Sequence, residues 1–390
     1  MDRSEIIKHS GRVVIKLGTA VLMREEGGGI ALSRFYSFVE DIAELVHSGK
    51  EVLLVTSGAV GLGVRKLGLA KRPKELPAKQ ACAAVGQGRL MALYSDAFSA
   101  LDVVTAQVLL TEDDFGNRKR YLNLRSTITE LLKMKALPII NENDTVATAE
   151  LEVDGQPRKV NFGDNDKLSA LVASKVEADL LVILTDVDGV YTADPRHDKN
   201  AQLIHQIDHL TPEMEAQLLG GGKPGGGTDL GRGGMRTKLE AAKVATQSGC
   251  ATIIAGGKEL SIISKVFAGK EVGTLFLARP GMTGKLRWIA FATTITSYIV
   301  VNGGARDALL KRKASLLPAG IIELRGSFDR GDVVSVIDDS GKEFARGIVN
   351  YSSEETQKIS GRHSEAIDGV IEHRNYDAII TRDNLAILEP

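Results

Sequence analysis

The amino-acid sequence predicts an α/β protein, with an open, mainly parallel sheet sandwiched by helices, followed by a second, small, mainly β domain. The chain has 390 residues, enough for two or three domains that each bury a core. Up to about residue 278, short β-branched runs alternate with longer helical stretches, a pattern typical of a parallel sheet covered by helices. From about residue 290 the pattern changes to short strands between turn residues, which indicates a separate domain.

Five segments are predicted as strands of the parallel sheet because nearly all of their residues are apolar, as in strands buried on both faces. They are residues 12–17, 51–56, 136–141, 180–184 and 251–255. The clearest helix is predicted to begin with Ser33 as its N-cap and to end at Gly49. Its apolar residues recur at helical spacing and are Phe38, Val39, Ile42, Leu45 and Val46. This helix would connect the first two strands and complete a βαβ unit.

The domain boundaries are predicted from the same change of composition. Residues 1–278 form the first predicted domain and residues 290–390 the second. The segment 279–289 between them contains proline and glycine and is predicted as a linker. The uncharged window 288–305 is about long enough to span a bilayer, but it contains threonine, serine and asparagine and is predicted as soluble β structure.

Charge and cysteine content exclude several classes of protein. With 49 Lys and Arg against 50 Asp and Glu, the formal charge is -1, so the whole chain is not attracted to nucleic acid or to an anionic membrane. Cys82 and Cys250 lie far apart, which argues against a disulfide framework or a thiolate metal site and favours a reducing, cytoplasmic setting. Lys8, His9 and Arg12 interrupt the N-terminal segment, so no secretion signal is predicted.

Two predicted strands end close to glycine-containing turns that suit a phosphate. Lys16 lies at the end of the first strand with Gly18 just beyond it, and Ser57 and Gly58 follow the second strand. Ligands of open α/β sheets bind at the carboxyl ends of the strands, where lysine supplies charge and glycine lets backbone N–H groups approach phosphate oxygens. The alternative for Lys16 is a lysine that only extends from a strand end into solvent.

Amide and carboxylate side chains are predicted to lie at the same edge. Asn141 and Asp144 follow the third predicted strand, and such groups suit the ammonium and carboxylate groups of an amino acid. Asn165 and Asp166 open the next predicted helix. The alternatives are an Asx turn for the first pair and a helix N-cap for the second.

A glycine-rich segment completes the predicted site. Residues 220–234 are predicted as a loop that leads through Lys238 into a helix over 239–248. Its backbone N–H groups, the helix N-terminus and the lysine would together bind an anion, and the alternative is a flexible linker. Thr185 and Asp186 follow the fourth predicted strand and add a hydroxyl and a carboxylate.

Two lysines, an acidic residue and several glycine turns at one sheet edge are what phosphoryl transfer requires. Its transition state spreads negative charge over the phosphoryl oxygens and needs positioning and compensating charge. The chain has no G-x-x-x-x-G-K-[ST] segment and no protein-kinase catalytic-loop motif, so neither of those kinase classes is predicted. The chain contains no GxSxG or HExxH segment, so neither a serine hydrolase nor a zinc hydrolase is predicted.

These motifs resemble those of the amino acid kinase family. The segments that carry the resemblance are VIKLG (14–18), VTSGA (55–59), INEND (140–144), GDND (163–166), LTD (184–186), YTADPR (191–196) and GGMRTK (233–238). In the second predicted domain, SLLPAGI (315–321), GSFDRGDV (326–333) and residues 345–347 resemble a PUA domain. The two resemblances cover nearly the whole chain and imply an amino acid kinase fold followed by a PUA-like domain.

The family resemblance implies an enzyme that uses ATP to phosphorylate the γ-carboxylate of L-glutamate, the first step of proline biosynthesis. It implies Mg2+ on the nucleotide phosphates, with no metal ligand assigned in the protein. It further implies inhibition by proline, a homo-oligomer, and glutamyl phosphate reductase as a partner, with no membrane partner.

Two alternatives share parts of this resemblance. Another kinase of the family, acting on aspartate, N-acetylglutamate or UMP, would use the same phosphate machinery. An RNA-binding or RNA-modifying protein is the alternative that the PUA-like domain suggests. Charge argues against RNA as the main partner, because the chain from Lys285 onward has 14 Lys and Arg against 15 Asp and Glu.

The resemblance also implies a role for each site residue. The catalytic residues, two lysines that stabilise the transferring phosphoryl group and an aspartate that orients them, are Lys16, Lys238 and Asp166. The residues implied in glutamate binding are Ser57, Asp144, Asn165 and, nearby, Asn141. The residues implied in ATP binding are Lys16, Gly18, Gly58, Thr185, Asp186, Arg232, Gly233, Gly234, Met235, Arg236, Thr237 and Lys238.

Overall fold

The chain forms two compact units, residues Met1–Gly281 and Met282–Pro390. The computed structural model describes residues 2–24, 29–111, 113–116, 118–146, 165–195, 197–219, 229–278, 284–290, 295–361 and 378–388. Each unit has its own sheet and its own buried core within these residues. The predicted fold class, an α/β unit followed by a smaller unit with a β sheet, is confirmed.

The first unit is built on a sheet that has eight strands in the described part of the chain. They are β1 (Arg12–Leu17), β2 (Glu51–Thr56), β3 (Thr105–Leu110), β4 (Leu137–Glu142), β5 (Leu180–Thr185), β6 (Gln206–Ile207), β7 (Ala251–Gly256) and β8 (Thr274–Phe276). The lateral order is β3-β4-β2-β1-β5-β7-β8-β6. The strands from β3 to β7 in this order run parallel, whereas β8 and β6 run in the opposite direction.

Five of these strands are the five that the sequence predicts, with bounds that differ by one residue at most. The other three, β3, β6 and β8, are absent from the prediction. β3 is an edge strand that includes Thr105 and an exposed Gln107, so it lacks the continuous apolar pattern of a buried strand. β6 and β8 have only 2 and 3 residues, too few to show any periodicity.

Helices cover both faces of this sheet. They are α1 (Arg3–His9), α2 (Thr19–Leu22), α3 (Leu32–His47), α4 (Ala59–Lys66), α5 (Leu76–Ser99), α6 (Asp113–Gly116), α7 (Arg118–Lys133), α8 (Asn165–Lys175), α9 (Pro212–Leu218), α10 (Asp229–Gln247) and α11 (Ile262–Phe267). The prediction that Ser33 caps α3 is wrong, because Ala31 is the N-cap and its buried main chain already bonds to Leu22. Gly49 follows the end of α3 with φ +90, a conformation that favours glycine.

The predicted start of the helix after the glycine-rich segment is also wrong. The helix does not begin at 239, because α10 already begins at Asp229 and continues to Gln247. Glycine is tolerated in its first turns because residues further along anchor the helix in the core: Leu239, Ala241, Ala242 and Ala245 are all buried. The predicted loop residues 220–228 lie outside the described residues.

Strand alternation decides which side chains of β1 face which helices. Val13, Ile15 and Leu17 belong to a core that also contains Phe35 and Phe38 of α3. Because successive residues of a strand point to opposite faces, Lys16 lies on the other face, where α8 packs against β1 and α10 packs against α8.

The second unit contains a five-stranded sheet of order β10-β9-β11-β12-β13. Its elements in the described residues are α12 (Gly284–Ala290), β9 (Tyr298–Val301), α13 (Gly303–Arg312), β10 (Ile321–Arg325), β11 (Val333–Ile337), β12 (Glu343–Ile348), α14 (Ser353–Ile359) and β13 (Leu385–Ile387). Two short 3-10 helices, Pro318–Gly320 and Arg382–Asn384, complete the described structure. Phe328, Phe344 and Tyr351 lie in its core.

The predicted linker 279–289 is in part a helix. Residues 279–283 lie outside the described residues, but α12 packs against β12 and β13, and its Ile289 and Ala290 are buried. This apolar contact explains why the segment is helical despite its proline and glycine content. The window 288–305, predicted as β structure, contains β9 but also the end of α12 and the start of α13. Of the helices described, none combines the length and the hydropathy needed to cross a membrane.

Candidate active site

Four parallel strands bring their carboxyl ends together at one edge of the first sheet. Leu17 of β1 pairs with Thr56 of β2 and with Leu184 of β5. Val55 of β2 pairs with Ile140 of β4. The residues just after these positions are predicted site residues from four segments, namely Gly18, Ser57, Asn141 and Thr185. The parallel register therefore places them at the same edge.

Two lysines and an aspartate from three different elements meet at this edge. Asp166, in the first turn of α8, is 0% exposed, and its Oδ1 lies 2.5 Å from Nζ of Lys16 in β1. Its Oδ2 lies 3.0 Å from Nζ of Lys238 in α10. Both lysines are buried as well, with 4% and 8% of their surface exposed. We call these three residues the ion cluster.

Asp166 is held in its ionised form. Burial acts to raise the pKa of this carboxyl group, but the ammonium groups of Lys16 and Lys238, together with their hydrogen bonds, outweigh burial and hold the pKa below its usual value. The two ammonium groups and one carboxylate of the ion cluster form a buried site whose own charge is positive. Such a site favours an anionic ligand.

Residues of α10 fix the ammonium group of Lys238 from a second side. Lys238 Nζ donates to the main-chain carbonyl of Gly234 at 3.0 Å, one turn earlier in the helix. Thr237 Oγ1 donates to Asp166 Oδ2 at 3.2 Å. Lys238 therefore has a defined position beside Asp166 and Lys16.

The helix N-terminus of the predicted anion site lies earlier in the chain than predicted, at Asp229. Gly234, Met235 and Arg236 lie inside α10, where backbone N–H groups bond to carbonyl groups of the preceding turn. Arg236 is exposed and pairs with Glu240 at 3.3 Å. The side chain of Arg232 lies outside the described part of the structure. Among the described side chains of residues 234–238, those of Thr237 and Lys238 contact Asp166.

Amide side chains form a chain of hydrogen bonds next to the ion cluster. Nδ2 of Asn165 lies 2.6 Å from the Thr56 carbonyl, 2.8 Å from Ser57 Oγ and 2.9 Å from Asn141 Oδ1. Asn141 Nδ2 donates in turn to Gln87 Oε1 at 2.8 Å. We call Asn165, Asn141 and Gln87 the amide chain. Three residues predicted to bind substrate, Ser57, Asn141 and Asn165, are thus in contact.

Gln87 is a residue of the amide chain that the sequence analysis misses. It lies in the middle of α5, far from any strand end, and reaches the site because α4 and α5 cross with their backbones in contact. A Cβ atom on Gly86 would lie 1.8 Å from the Ala59 carbonyl oxygen, and one on Gly63 would lie 1.8 Å from the Cys82 carbonyl oxygen. Ala59 and Gly63 in α4, and Cys82 and Gly86 in α5, are two pairs of small residues spaced by four, and this spacing is the sequence signal that could have revealed the crossing.

The two predicted glycines at the strand ends have different structural reasons. Gly58 is the N-cap of α4 and has φ +107, a conformation that other residues rarely adopt. Gly18 donates from its N–H to the Leu184 carbonyl at 3.3 Å. A Cβ atom on Gly18 would lie 3.3 Å from Lys16 Nζ, so glycine keeps space open beside the ammonium group.

Three further predicted residues, Thr185, Asp186 and Asp144, follow neighbouring strands at the same edge. In the described residues, Thr185 Oγ1 donates to Asp186 Oδ1 at 3.0 Å, and neither residue bonds to the ion cluster. Asp144 lies in the turn after β4 and is partly buried. The structure therefore groups the predicted catalytic residues closely, with Thr185 at the end of β5 and Asp186 and Asp144 just beyond strand ends.

Known proteins resemble this chain along its whole length. Glutamate 5-kinase of Citrifermentans bemidjiense is 49% identical over 99% of this chain and 100% of its own length. Glutamate 5-kinase of Caldanaerobacter subterraneus is 45% identical over 97% of this chain and 98% of its own. Glutamate 5-kinase of Methanosarcina acetivorans is 44% identical over 100% of this chain and 99% of its own.

A solved structure of UMP kinase from Bacillus anthracis covers 70% of this chain and 98% of its own, at 17% identity and a TM-score of 0.44, which is too low to bear on function.

Family matches divide along the chain in the same way as the two sheets. Residues 297–371 match the PUA domain. Because residues 11–256 match the amino acid kinase family, and the relatives above match nearly the whole chain, this protein belongs to the amino acid kinase family.

Proposed function

We propose that this chain uses ATP to phosphorylate the γ-carboxylate of L-glutamate, producing γ-glutamyl phosphate and ADP as the first step of proline biosynthesis. The observation that carries the proposal is the ion cluster, in which two buried lysines flank one ionised aspartate. The substrate is taken from the relatives, which are named glutamate 5-kinases and are 44% to 49% identical over nearly the whole chain.

The proposed reaction needs compensating charge rather than a base. A γ-carboxylate oxygen forms a bond to the γ-phosphorus while the bond from that phosphorus to the oxygen of ADP breaks. The attacking carboxylate is already ionised at neutral pH, so no proton has to be removed from it. Negative charge develops on the phosphoryl oxygens, and we assign Lys16 and Lys238 to stabilise it. Asp166 acts as a positioning residue that holds both ammonium groups.

The amino-acid end of the substrate is assigned to the neighbouring polar residues. Asn165 contacts both Ser57 and Asn141 beside the ion cluster. Asp144, on the turn after β4, supplies a carboxylate for the substrate ammonium group. Proline also presents an α-carboxylate and a cationic nitrogen, so we propose that it inhibits by competing for these residues.

The phosphates of ATP are assigned to the glycines and to the α10 segment. Gly18 and Gly58 would line the path of the phosphates, and the rest of the nucleotide would contact Thr185, Asp186 and residues 232–238. In the described part of the chain, no group of three or more His, Cys, Asp or Glu side chains could hold a metal ion. Both oxygens of Asp166 already face lysines. We propose that Mg2+ enters with the nucleotide phosphates.

The proposed activity is tested by supplying different acceptors to the purified full chain. ADP release and γ-glutamyl hydroxamate, formed by trapping the product with hydroxylamine, should both require glutamate. Aspartate, N-acetylglutamate and UMP serve as the competing acceptors. Turnover with one of these and none with glutamate would refute the assignment.

Partners of the enzyme follow from its product and from its second unit. An acyl phosphate is labile, so we propose glutamyl phosphate reductase as the partner that consumes it, with a homo-oligomer as the working form. The location that we propose is the cytoplasm, and two buried cysteines that form no disulfide support a reducing compartment. An RNA ligand of the PUA domain is the second candidate role, and a filter-binding assay with and without Met282–Pro390 tests it.

A further inference from the structure

A partly buried glutamine that the proposed mechanism does not use lies next to the proposed substrate residues. Gln87 Oε1 accepts a hydrogen bond from Asn141 Nδ2 at 2.8 Å. Among the residues that the structure describes, the other end of this amide, Nε2, has no hydrogen-bond partner. A side-chain amide carries two N–H donors at that end, so half of its hydrogen-bonding capacity is available to a ligand.

The orientation of every amide in the amide chain follows from one main-chain acceptor. The Thr56 carbonyl can only accept, so the atom of Asn165 that lies 2.6 Å away must be the donor Nδ2. That donor also faces Asn141, which must therefore present Oδ1 to it and direct Nδ2 towards Gln87. Gln87 must then present Oε1 to Asn141. The donor Nε2 of Gln87 is therefore the outer end of the amide chain.

Packing holds both ends of the amide chain in place. Thr56 ends β2, and its Oγ1 lies 2.9 Å from the hydroxyl of the buried Tyr94. Gly86 is in such close contact with the Ala59 carbonyl that α5 cannot move towards α4. Gln87, the next residue, is therefore held beside the turn that contains Ser57 and Gly58.

We propose that Gln87 is a further substrate-binding residue, whose Nε2 donates a hydrogen bond to a carboxylate oxygen of the amino-acid substrate. The inference rests on the proposed function, because it assumes an amino-acid acceptor at this edge of the sheet. A hydrogen bond to an ionised group changes affinity by about tenfold to a hundredfold, which sets the size of the expected effect.

Two substitutions of Gln87 separate substrate binding from simple positioning of Asn141. Gln87→Met removes both functions of the amide and should weaken glutamate binding at least about tenfold. Gln87→Glu keeps an acceptor for Asn141 but replaces the donor with a negatively charged oxygen, so it should weaken glutamate binding further, with the KM for ATP unchanged. If Gln87 only orients Asn141, Gln87→Glu should bind glutamate better than Gln87→Met does. That order would overturn the proposal.

Calorimetric titration of the full chain with glutamate in the absence of ATP is the direct measurement. Gln107→Glu is the matched control, because Gln107 is exposed on β3 and the charge change is the same. If Gln87→Glu does not fold, Gln87→Met is titrated with glutamate and with its two monoamides. Loss of discrimination between glutamate and one monoamide supports the proposal, and unchanged discrimination overturns it. A wild-type chain that forms no ADP with glutamate would instead refute the proposed function.

Discussion

Asp166→Asn should both destabilise the first unit and slow the reaction, because it removes the only negative charge of the ion cluster. The carboxylate is 0% exposed, and the side chains of Lys16 and Lys238 are 5% and 10% exposed. Asparagine has nearly the same volume, so packing is preserved while two buried ammonium groups lose their counter-charge. Breaking a buried ion pair costs about 3 to 5 kcal/mol, which for a unit of this size lowers Tm by roughly 10 °C.

Thermal unfolding of the full chain at pH 7, followed by steady-state kinetics on the folded protein, measures both effects. Asp41→Asn is the matched control, since Asp41 is also buried but accepts hydrogen bonds from neutral groups of Ser264. It should lower Tm by less than Asp166→Asn does, because asparagine keeps one acceptor oxygen and at most one hydrogen bond to a charged group, about 1.5 to 3 kcal/mol, is lost. An Asp166→Asn protein with a Tm within about 2 °C of wild type and an unchanged kcat would refute the reasoning.

A triple apolar variant separates the two roles of the ion cluster. Replacement of a complete buried ion cluster by apolar residues of similar volume is often neutral or stabilising. Lys16→Met, Asp166→Leu and Lys238→Met combined should therefore recover most of the stability lost in Asp166→Asn. The same variant should have no measurable kinase activity, because the compensating charge is gone.

Three further outcomes are expected. Lys16→Ala and Lys238→Ala should each lower kcat by about a hundredfold or more with little change in either KM, by analogy with the loss of one oxyanion donor. A kcat within a few-fold of wild type for a folded variant would remove that lysine from the mechanism. Gly86→Ala should reduce both stability and glutamate affinity, because its Cβ would lie 1.8 Å from the Ala59 carbonyl oxygen and overpacking costs about 1 to 3 kcal/mol or more; an unchanged Tm would contradict the close helix crossing. The pKa of Asp166 in the folded protein lies below its unfolded value of about 3.9, so the stability that the ionised carboxylate contributes is present above that pH and is lost as pH falls through the folded pKa. The difference in Tm between wild type and Asp166→Asn should therefore shrink below about pH 4. A constant difference would argue against an ionised Asp166.

Short-range patterns in the sequence were sufficient for the class of the fold and for the edge at which the site lies. Runs of apolar residues identify β1, β2, β4, β5 and β7, since a strand buried on both faces needs them. In a parallel sheet the carboxyl ends share one edge, so residues such as Lys16 and Asn141 are placed together before any contact is known. The same reasoning fails for β3, because an edge strand has less need of apolar side chains.

Only the tertiary structure decided which of these side chains meet. The pairing of Lys16 and Lys238 with Asp166 depends on the face of β1 against which α8 and α10 pack, and Gln87 reaches the amide chain only because α4 and α5 cross at Gly63 and Gly86. The helical state of α10 and α12 likewise depends on apolar residues that dock against distant elements, which outweighs the local preference of glycine for turns. Periodicity reports the environment of each residue along the chain, whereas contacts between remote residues are set by how whole elements pack.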